Sequence, residues 1–114
     1  MISRHGPTPI MHRVVEHAGV LYVGGIVADD RSVPMKGQTE QILVKIAKIL
    51  GDYGSSLGKV LTATLYITDM GQKDGMNEAW NAALAAADLP ARATIGVADL
   101  GPNILIEIVF TAAR

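Results

Sequence analysis

Apolar and polar residues alternate along this chain with two different periods, which separate strands from helices. Segments with the two-residue period of strands are residues 11–17, 20–27, 60–68 and 104–112. Ala18–Gly19 between the first two is a turn signal and predicts a hairpin. Gly24–Gly25 lies inside the second strand and indicates a bulge or a close backbone approach. Residues 1–9, with Gly6 and two prolines, are expected to be an irregular lead-in.

Two segments have the longer period of an amphipathic helix. The first is residues 38–53, and its apolar stripe consists of Ile42, Leu43, Ile46, Ile49, Leu50 and Tyr53. The second begins at Gln72 or Asp74 and ends before Pro90, because helices usually end ahead of a proline. With a further strand opening at Arg92, the order is β-β-α-β-α-β-β. This order predicts a single domain over residues 1–114, an α+β two-layer sandwich with two helices on one face of a mixed sheet.

The predicted sheet has one face more than its helices can cover. Two helices cover one face, yet the strands carry apolar residues on both, as in the sets Leu61/Leu65 and Val60/Tyr66. A large exposed apolar face marks an interaction surface, and another copy of the same chain is its commonest partner. We therefore expect a homo-oligomer.

Composition narrows the class of protein. Hydrophobic residues make up 49% of the 114 residues, charged residues 18%, and the net charge is −1, so no basic surface indicates nucleic-acid binding. The chain has no cysteine, and its three histidines are too scattered to predict a metal site. No apolar stretch approaches the ~18 residues of a membrane-spanning helix. We expect a soluble, cytoplasmic protein without a metal.

The last quarter of the chain carries the candidate chemistry. Glu107 shares its strand face with Leu105, Val109 and Thr111, so its carboxylate has few polar neighbours on that strand. A charge there is costly unless it is paired or reaches a wet cavity. We predict that the strands beginning near Arg92 and Ile104 form a hairpin-like pair that holds one cation and one anion as a site. The alternative is that Arg92 and Glu107 form a plain ion pair, with each other or with surface charges.

The chain also resembles the Rid (YjgF, reactive intermediate/imine deaminase) family over nearly its whole length. The matching segments are residues 20–25 (Val-Leu-Tyr-Val-Gly-Gly), 38–43 (Gln-Thr-Glu-Gln-Ile-Leu), 68–70 (Thr-Asp-Met), 76–80 (Met-Asn-Glu-Ala-Trp), 90–92 (Pro-Ala-Arg) and 106–108 (Ile-Glu-Ile). The resemblance implies a chorismate-mutase-like α+β sandwich, assembled as a homotrimer with clefts between subunits.

The resemblance also implies an activity, the hydrolysis of reactive enamines and 2-imino acids to 2-keto acids and ammonia. In this interpretation Arg92 binds the substrate carboxylate and Glu107 positions the hydrolytic water, so both are candidate catalytic residues. The predicted substrate-binding set is Arg92, Asn77, Thr94, Gly24, Met11 and His12. The reaction needs no metal and no cofactor, because orientation, a water and proton transfer are sufficient.

Several positions depart from the family pattern. Met11 stands where the family has a tyrosine, with His12 beside it as a substitute polar group. Gly24 and Ile26 replace the serine and glutamine of a Ser-Gly-Gln motif, and Val109 replaces an acidic residue that often follows the glutamate. These changes predict a less polar pocket. The alternative function is therefore a non-catalytic protein that binds small carboxylates or acts as a holdase.

Overall fold

The structure, a computed structural model, describes residues 1–114 and contains six strands and two α-helices. In chain order these elements are β1 (Ser3–Pro7), β2 (His12–His17), β3 (Val20–Ile26), α1 (Met35–Asp52), β4 (Val60–Ile67), α2 (Lys73–Ala83), β5 (Ala91–Gly96) and β6 (Ile106–Ala113). Single turns of 3₁₀ helix precede β4, α2 and β5. Neither α-helix combines the length and the hydropathy needed to cross a membrane.

The strands form one mixed sheet in the order β1-β2-β3-β6-β4-β5. Neighbouring strands are antiparallel except for β4 and β5, which are parallel and joined by α2. The predicted α+β sandwich is confirmed, with one strand more than the sequence pattern indicated. That strand is β1, which pairs with β2 as an edge strand where an irregular lead-in was expected. Its helix-side residue His5 packs on Tyr53 with ring centroids 4.8 Å apart, so β1 is held by its ladder and one aromatic contact.

The predicted hairpin between the last two strands is wrong. β5 lies at the sheet edge beside β4, whereas β6 is inserted between β3 and β4. A β-α-β unit places its two strands in parallel, and the apolar residues of β6 suit a central strand with neighbours on both sides. The segment after β5 therefore crosses over β4 instead of turning back in a two-stranded pair.

One face of the sheet, here called the helix face, is covered by α1 and α2. From β6 it receives Ile106, Ile108, Phe110 and Ala112, each at most 1% exposed. The Trp80 ring of α2 lies parallel to the Phe110 ring, with centroids 6.4 Å apart. This layer contains the hydrophobic core, and it fixes the position of α2 relative to β6.

The opposite face, here called the open face, has no helix over it. It presents Glu107, Val109 and Thr111 of β6, and Tyr22 of β3 is 49% exposed there. One of the sets Leu61/Leu65 and Val60/Tyr66 was expected to lie on this face, and that prediction is wrong, because the β4–β6 register shifts between Val60 and Thr62 and each set has one buried member. Val60 and Leu65 are consequently buried on the helix face.

A buried glutamine connects α1 to the start of β6. The Gln38 side chain is fully buried, and its Oε1 accepts the backbone N–H of Leu105 at 3.0 Å. Its Nε2 donates to the carbonyl oxygens of Val33 at 3.1 Å and Asn103 at 3.0 Å. Gln38 therefore fixes the chain immediately before the strand that carries Glu107.

The first helix begins three residues earlier than its apolar stripe predicted. Met35 follows Pro34, and its free backbone N–H donates to Gln72 Oε1 at 2.9 Å. A capping partner 37 residues away in sequence leaves no local signal, so the periodicity placed the start too late.

Candidate functional site

Arg92 and Glu107, the two charged residues singled out from the sequence, lie on opposite faces of the sheet. Arg92 is paired in register with Ala63, a buried helix-face residue of β4. Glu107 is paired with Tyr66, on the open face. Neither side chain takes part in any of the four ion pairs of the chain. The alternative, that Arg92 and Glu107 form a plain ion pair with each other or with surface charges, is therefore wrong.

Arg92 lies beside a shallow cavity of about 320 Å³ at the edge formed by β5 and α2. The cavity is lined by Asn77, Trp80, Asn81, Leu89, Pro90 and Arg92. The Arg92 guanidinium carbon lies 5.3 Å from the centroid of the Trp80 ring, close enough for a cation–π contact. Partial desolvation at this edge lowers the pKa of Arg92 from its ordinary value, and the group remains a cation at neutral pH.

Asn77 faces the same cavity from the first turns of α2, and Trp80 is one helical turn further on. The Asn77 Oδ1 is buried and has no hydrogen-bond partner within the chain. A buried polar atom without a partner costs about 1–3 kcal/mol, and a ligand donor would relieve that cost. We call Arg92, Asn77 and Trp80 the arginine half-site. Thr94, two residues after Arg92 on β5, lies half-buried on the same face.

Glu107 lies over the glycine bulge of β3 on the open face. A Cβ atom on Gly25 would overlap the Glu107 carboxylate, and a Cβ on Gly24 would lie 2.8 Å from Met11 Cε. The glycine pair therefore allows Met11 and Glu107 to approach the backbone of β3. Glu107 is half-buried and forms no ion pair. We call Glu107, Gly24, Gly25 and Met11 the glutamate half-site.

The substrate-binding residues predicted from the sequence are thus divided between two places. Asn77 and Thr94 accompany Arg92, whereas Gly24 and Met11 accompany Glu107. His12 joins neither group, because strand alternation places it on the same face as Val14, which is fully buried under the helices.

Arg13 adjoins the glutamate half-site and was missed by the sequence reasoning. It is half-buried in β2, and its Nη1 donates to the carbonyl oxygen of Gly25 at 3.3 Å. The available signal was its register: in the β2–β3 hairpin Arg13 falls beside the glycine pair, on the face opposite to Val14.

The two half-sites cannot act on one small molecule within a single chain. The sheet lies between them, and the β4 strand separates β5 from β6. β5 is an edge strand, however, so Arg92 is accessible from outside the sheet.

Comparisons with known proteins agree with this fold. The family model described as endoribonuclease L-PSP matches residues 5–114. A RutC family protein from Haemophilus ducreyi is 35% identical over 113 residues, covering 99% of this chain and 97% of the relative. The RutC family protein YoaB from Escherichia coli is 32% identical over 100 residues, covering 88% of this chain and 87% of the relative.

Solved structures give the same result. A member of the YjgF protein family from Neisseria meningitidis superposes with a TM-score of 0.94 at 32% identity, over 100% of this chain and 95% of that one. An uncharacterized protein from Pseudomonas aeruginosa has a TM-score of 0.95 at 30% identity, with coverage of 100% and 99%. With a family model and full-length relatives in agreement, the chain belongs to the Rid/YjgF family, also described as endoribonuclease L-PSP.

Proposed function

We propose that this protein hydrolyses small 2-imino acids, or their enamine tautomers, to 2-keto acids and ammonia in clefts between the subunits of a homotrimer. The observation that carries the proposal is the division of the site. A guanidinium and a carboxylate, both without an ion-pair partner, lie on opposite faces of the sheet. Packing the β5 edge of one copy on the open face of the next brings them to one ligand.

The arginine half-site supplies recognition. A guanidinium offers a planar fork of N–H donors that matches a carboxylate in two parallel hydrogen bonds. Trp80 lies against the Arg92 guanidinium and restricts its position before the ligand arrives. The unpartnered Oδ1 of Asn77 is suited to accept a hydrogen bond from an imine or amine N–H of the same ligand.

The glutamate half-site supplies the water. Glu107 accepts one proton from water as the water oxygen bonds to the imine carbon, and it passes that proton to the nitrogen. The product of this step is a carbinolamine. Glu107 then transfers the hydroxyl proton to the amino group, the C–N bond breaks, ammonia leaves and the carbonyl forms. Atoms and charges balance without a metal or a redox cofactor.

A binding protein without turnover is the second candidate. Met11, which approaches Gly24 beside Glu107, offers no hydrogen-bond donor to a leaving group. Such a protein needs the arginine half-site to hold its ligand, but it does not need the carboxylate of Glu107.

Mixed assemblies test the division of the site directly. Arg92→Gln and Glu107→Gln chains are each expected to lose imine hydrolysis when assembled alone. If a cleft takes Arg92 from one copy and Glu107 from the next, unfolding and refolding the two together in equal amounts should restore about a quarter of the wild-type clefts. The measurement is keto-acid release per assembly from freshly generated 2-imino acids. A mixture as inactive as its two components would show that both residues must belong to one chain.

A further inference from the structure

A second guanidinium lies beside the Glu107 carboxylate, on the same chain and the same face. Arg13 projects from β2 onto the open face, since Val14 is fully buried on the helix face. Its Nη1 donates to the Gly25 carbonyl oxygen at 3.3 Å. Glu107 reaches the same glycine from β6 on the other side. One cationic and one anionic side chain therefore approach Gly25 from opposite sides.

The contact with Gly25 has a structural reason of its own. The β3–β6 register shifts between Val23 and Ile26, so the bulge takes the glycine pair out of the regular ladder. Arg13 supplies a donor to the Gly25 carbonyl. A guanidinium carries five N–H donors, however, and this is its one hydrogen bond. The remaining donors are free to bind a ligand.

Arg13 and Glu107 are near each other but do not pair. The separation of their charged atoms exceeds the 4.0 Å limit of an ion pair. It is at most roughly 9 Å, because Arg13 bonds to the Gly25 carbonyl and the Glu107 carboxylate occupies the space that a Cβ on Gly25 would take. A separation between these limits leaves room for a ligand whose reacting carbon lies at Glu107 and whose acid group lies two or three carbons away.

We propose that Arg13 binds the second carboxylate of a dicarboxylic substrate, so that the protein prefers four- and five-carbon dicarboxylic 2-imino acids to those with an apolar side chain. The inference rests on the proposed function, in which Arg92 of the neighbouring copy holds the carboxylate next to the imine carbon. If the substrate has an apolar side chain, the free N–H donors of Arg13 face a group that cannot accept a hydrogen bond. Such unpaired donors disfavour binding of that substrate.

Arg4 provides a matched control for charge. It is opposite Val15 in the β1–β2 ladder, whereas Arg13 is opposite Gly6, so both arginines lie on the open face two residues apart in register. Arg4 is exposed and takes part in none of the four ion pairs. Removing Arg4 changes the charge of this face by the same amount without touching Gly25.

The first experiment measures binding by calorimetry. Wild type, Arg13→Gln and Arg4→Gln are titrated with 2-oxoglutarate and with 2-oxobutanoate, the products of a dicarboxylic and a monocarboxylic imine. Wild type should favour 2-oxoglutarate, and Arg13→Gln should lower that preference about 10- to 100-fold, the range for a hydrogen bond to a charged group. Arg4→Gln should keep the wild-type preference. Equal effects of the two variants would assign the preference to the general field of the face and overturn the inference.

The second experiment compares kcat/KM for freshly generated 2-iminoglutarate and 2-iminobutanoate. The dicarboxylic imine should be preferred by wild type, and the preference should fall in Arg13→Gln. Binding that follows the expected pattern with no turnover of either imine would reject the proposed function and keep the inference. Turnover of both imines with a ratio that Arg13→Gln leaves unchanged would reject the inference and keep the function.

A purely structural role for Arg13 has a different signature. If Arg13 serves only to satisfy the Gly25 carbonyl, Arg13→Gln lowers the melting temperature and leaves both ratios as in wild type, which would overturn the inference. Arg13→Lys covers the case in which the glutamine variant does not fold. Lysine keeps a donor for Gly25 and the charge but loses the fork, so the preference should fall while folding is retained.

Discussion

Individual charged residues in this protein fall into two groups according to whether the chain itself supplies their partners. The four ion pairs include exposed surface side chains, such as Lys36 with Glu78 at 3.1 Å and Lys48 with Asp52 at 3.3 Å. Exposed pairs of this kind contribute about 0–1 kcal/mol each. Arg92 and Glu107 have no such partner, although Trp80 and the glycine bulge hold them in defined positions. Charges that are positioned but unpaired are better suited to a ligand than to stability.

Replacement of Glu107 by glutamine separates catalysis from binding and from scaffold. Glu107→Gln preserves the shape over Gly25 but removes the proton acceptor, so imine hydrolysis should fall by about 10²–10⁴-fold. Binding of a 2-keto acid and the melting temperature should change little, since Glu107 has no ion pair to lose. The measurements are kcat, calorimetric affinity and thermal unfolding of the same preparation.

Two other outcomes would reassign Glu107. A lower melting temperature with full turnover per folded assembly would make the residue part of the scaffold. Unchanged turnover and unchanged stability together would remove Glu107 from the mechanism, whereas 2-keto-acid binding without any turnover in wild type is what the second candidate function predicts.

At the scale of elements, the sequence predicts the type of each segment, helix or strand, more accurately than its position in the sheet. The stripe of α1 and the alternation of β6 are local patterns, and both elements lie close to their expected bounds. β1 was missed because an exposed five-residue edge strand needs no apolar alternation. The order of β5 and β6 was wrong because strand order depends on crossover connections, which leave no periodic signal in either strand.

The same difference between the type of a feature and its position applies to the candidate site. Glu107 was found from the sequence because a charge flanked by apolar residues on a strand is unusual, and Arg92 because it opens a predicted strand just after a proline. The positions of Arg92 and Glu107 on opposite faces were not predicted, since the face of Arg92 depends on the parallel pairing of β5 with β4. Arg13 was missed for a related reason: its importance depends on a glycine bulge in the neighbouring strand.

Gln38 is the element-scale contact most open to a stability test. Gln38→Leu fits the volume but leaves the Leu105 N–H and the carbonyl oxygens of Val33 and Asn103 without their partner. Unsatisfied buried groups cost about 1–3 kcal/mol each, with partial relief by local movement, so the free energy of unfolding should fall by about 2–4 kcal/mol. Urea unfolding at one fixed protein concentration measures it.

Gln41 supplies the control for this prediction, because it lies on the same helix and its side chain makes two hydrogen bonds, against three for Gln38. Its partners are the backbone N–H and carbonyl of Asp30, at 3.0 Å and 2.9 Å, in an exposed setting. Water replaces both bonds in Gln41→Leu, so the loss should stay below about 1 kcal/mol. Equal losses in the two variants would show that Gln38 does not hold the start of β6.

At the scale of the whole molecule, the uncovered sheet face connects the fold to the proposed site. The sequence indicated that two helices leave one face of the sheet bare, and the structure has such a face, with Tyr22 49% and Val109 36% exposed on it. On the edge strand β5, Ile95 projects toward the same side and is 43% exposed. Both the β5 edge and the open face leave apolar side chains exposed, and packing against a second copy would bury them.

Two valines of equal size test whether the open face is the surface that assembles. Val109 lies in the middle of the open face, whereas Val44 is 71% exposed on the outer surface of α1. Light scattering at micromolar concentration should return a trimer mass for wild type. Val109→Asp places a charge in the contact and should shift the mass toward that of a monomer, because a buried unpaired charge is costly. Val44→Asp adds the same charge to the helical layer and should leave the trimer intact. A wild-type monomer, or a trimer that Val44→Asp dissociates and Val109→Asp does not, would mean that the open face is not the assembly surface and that the two half-sites never meet there.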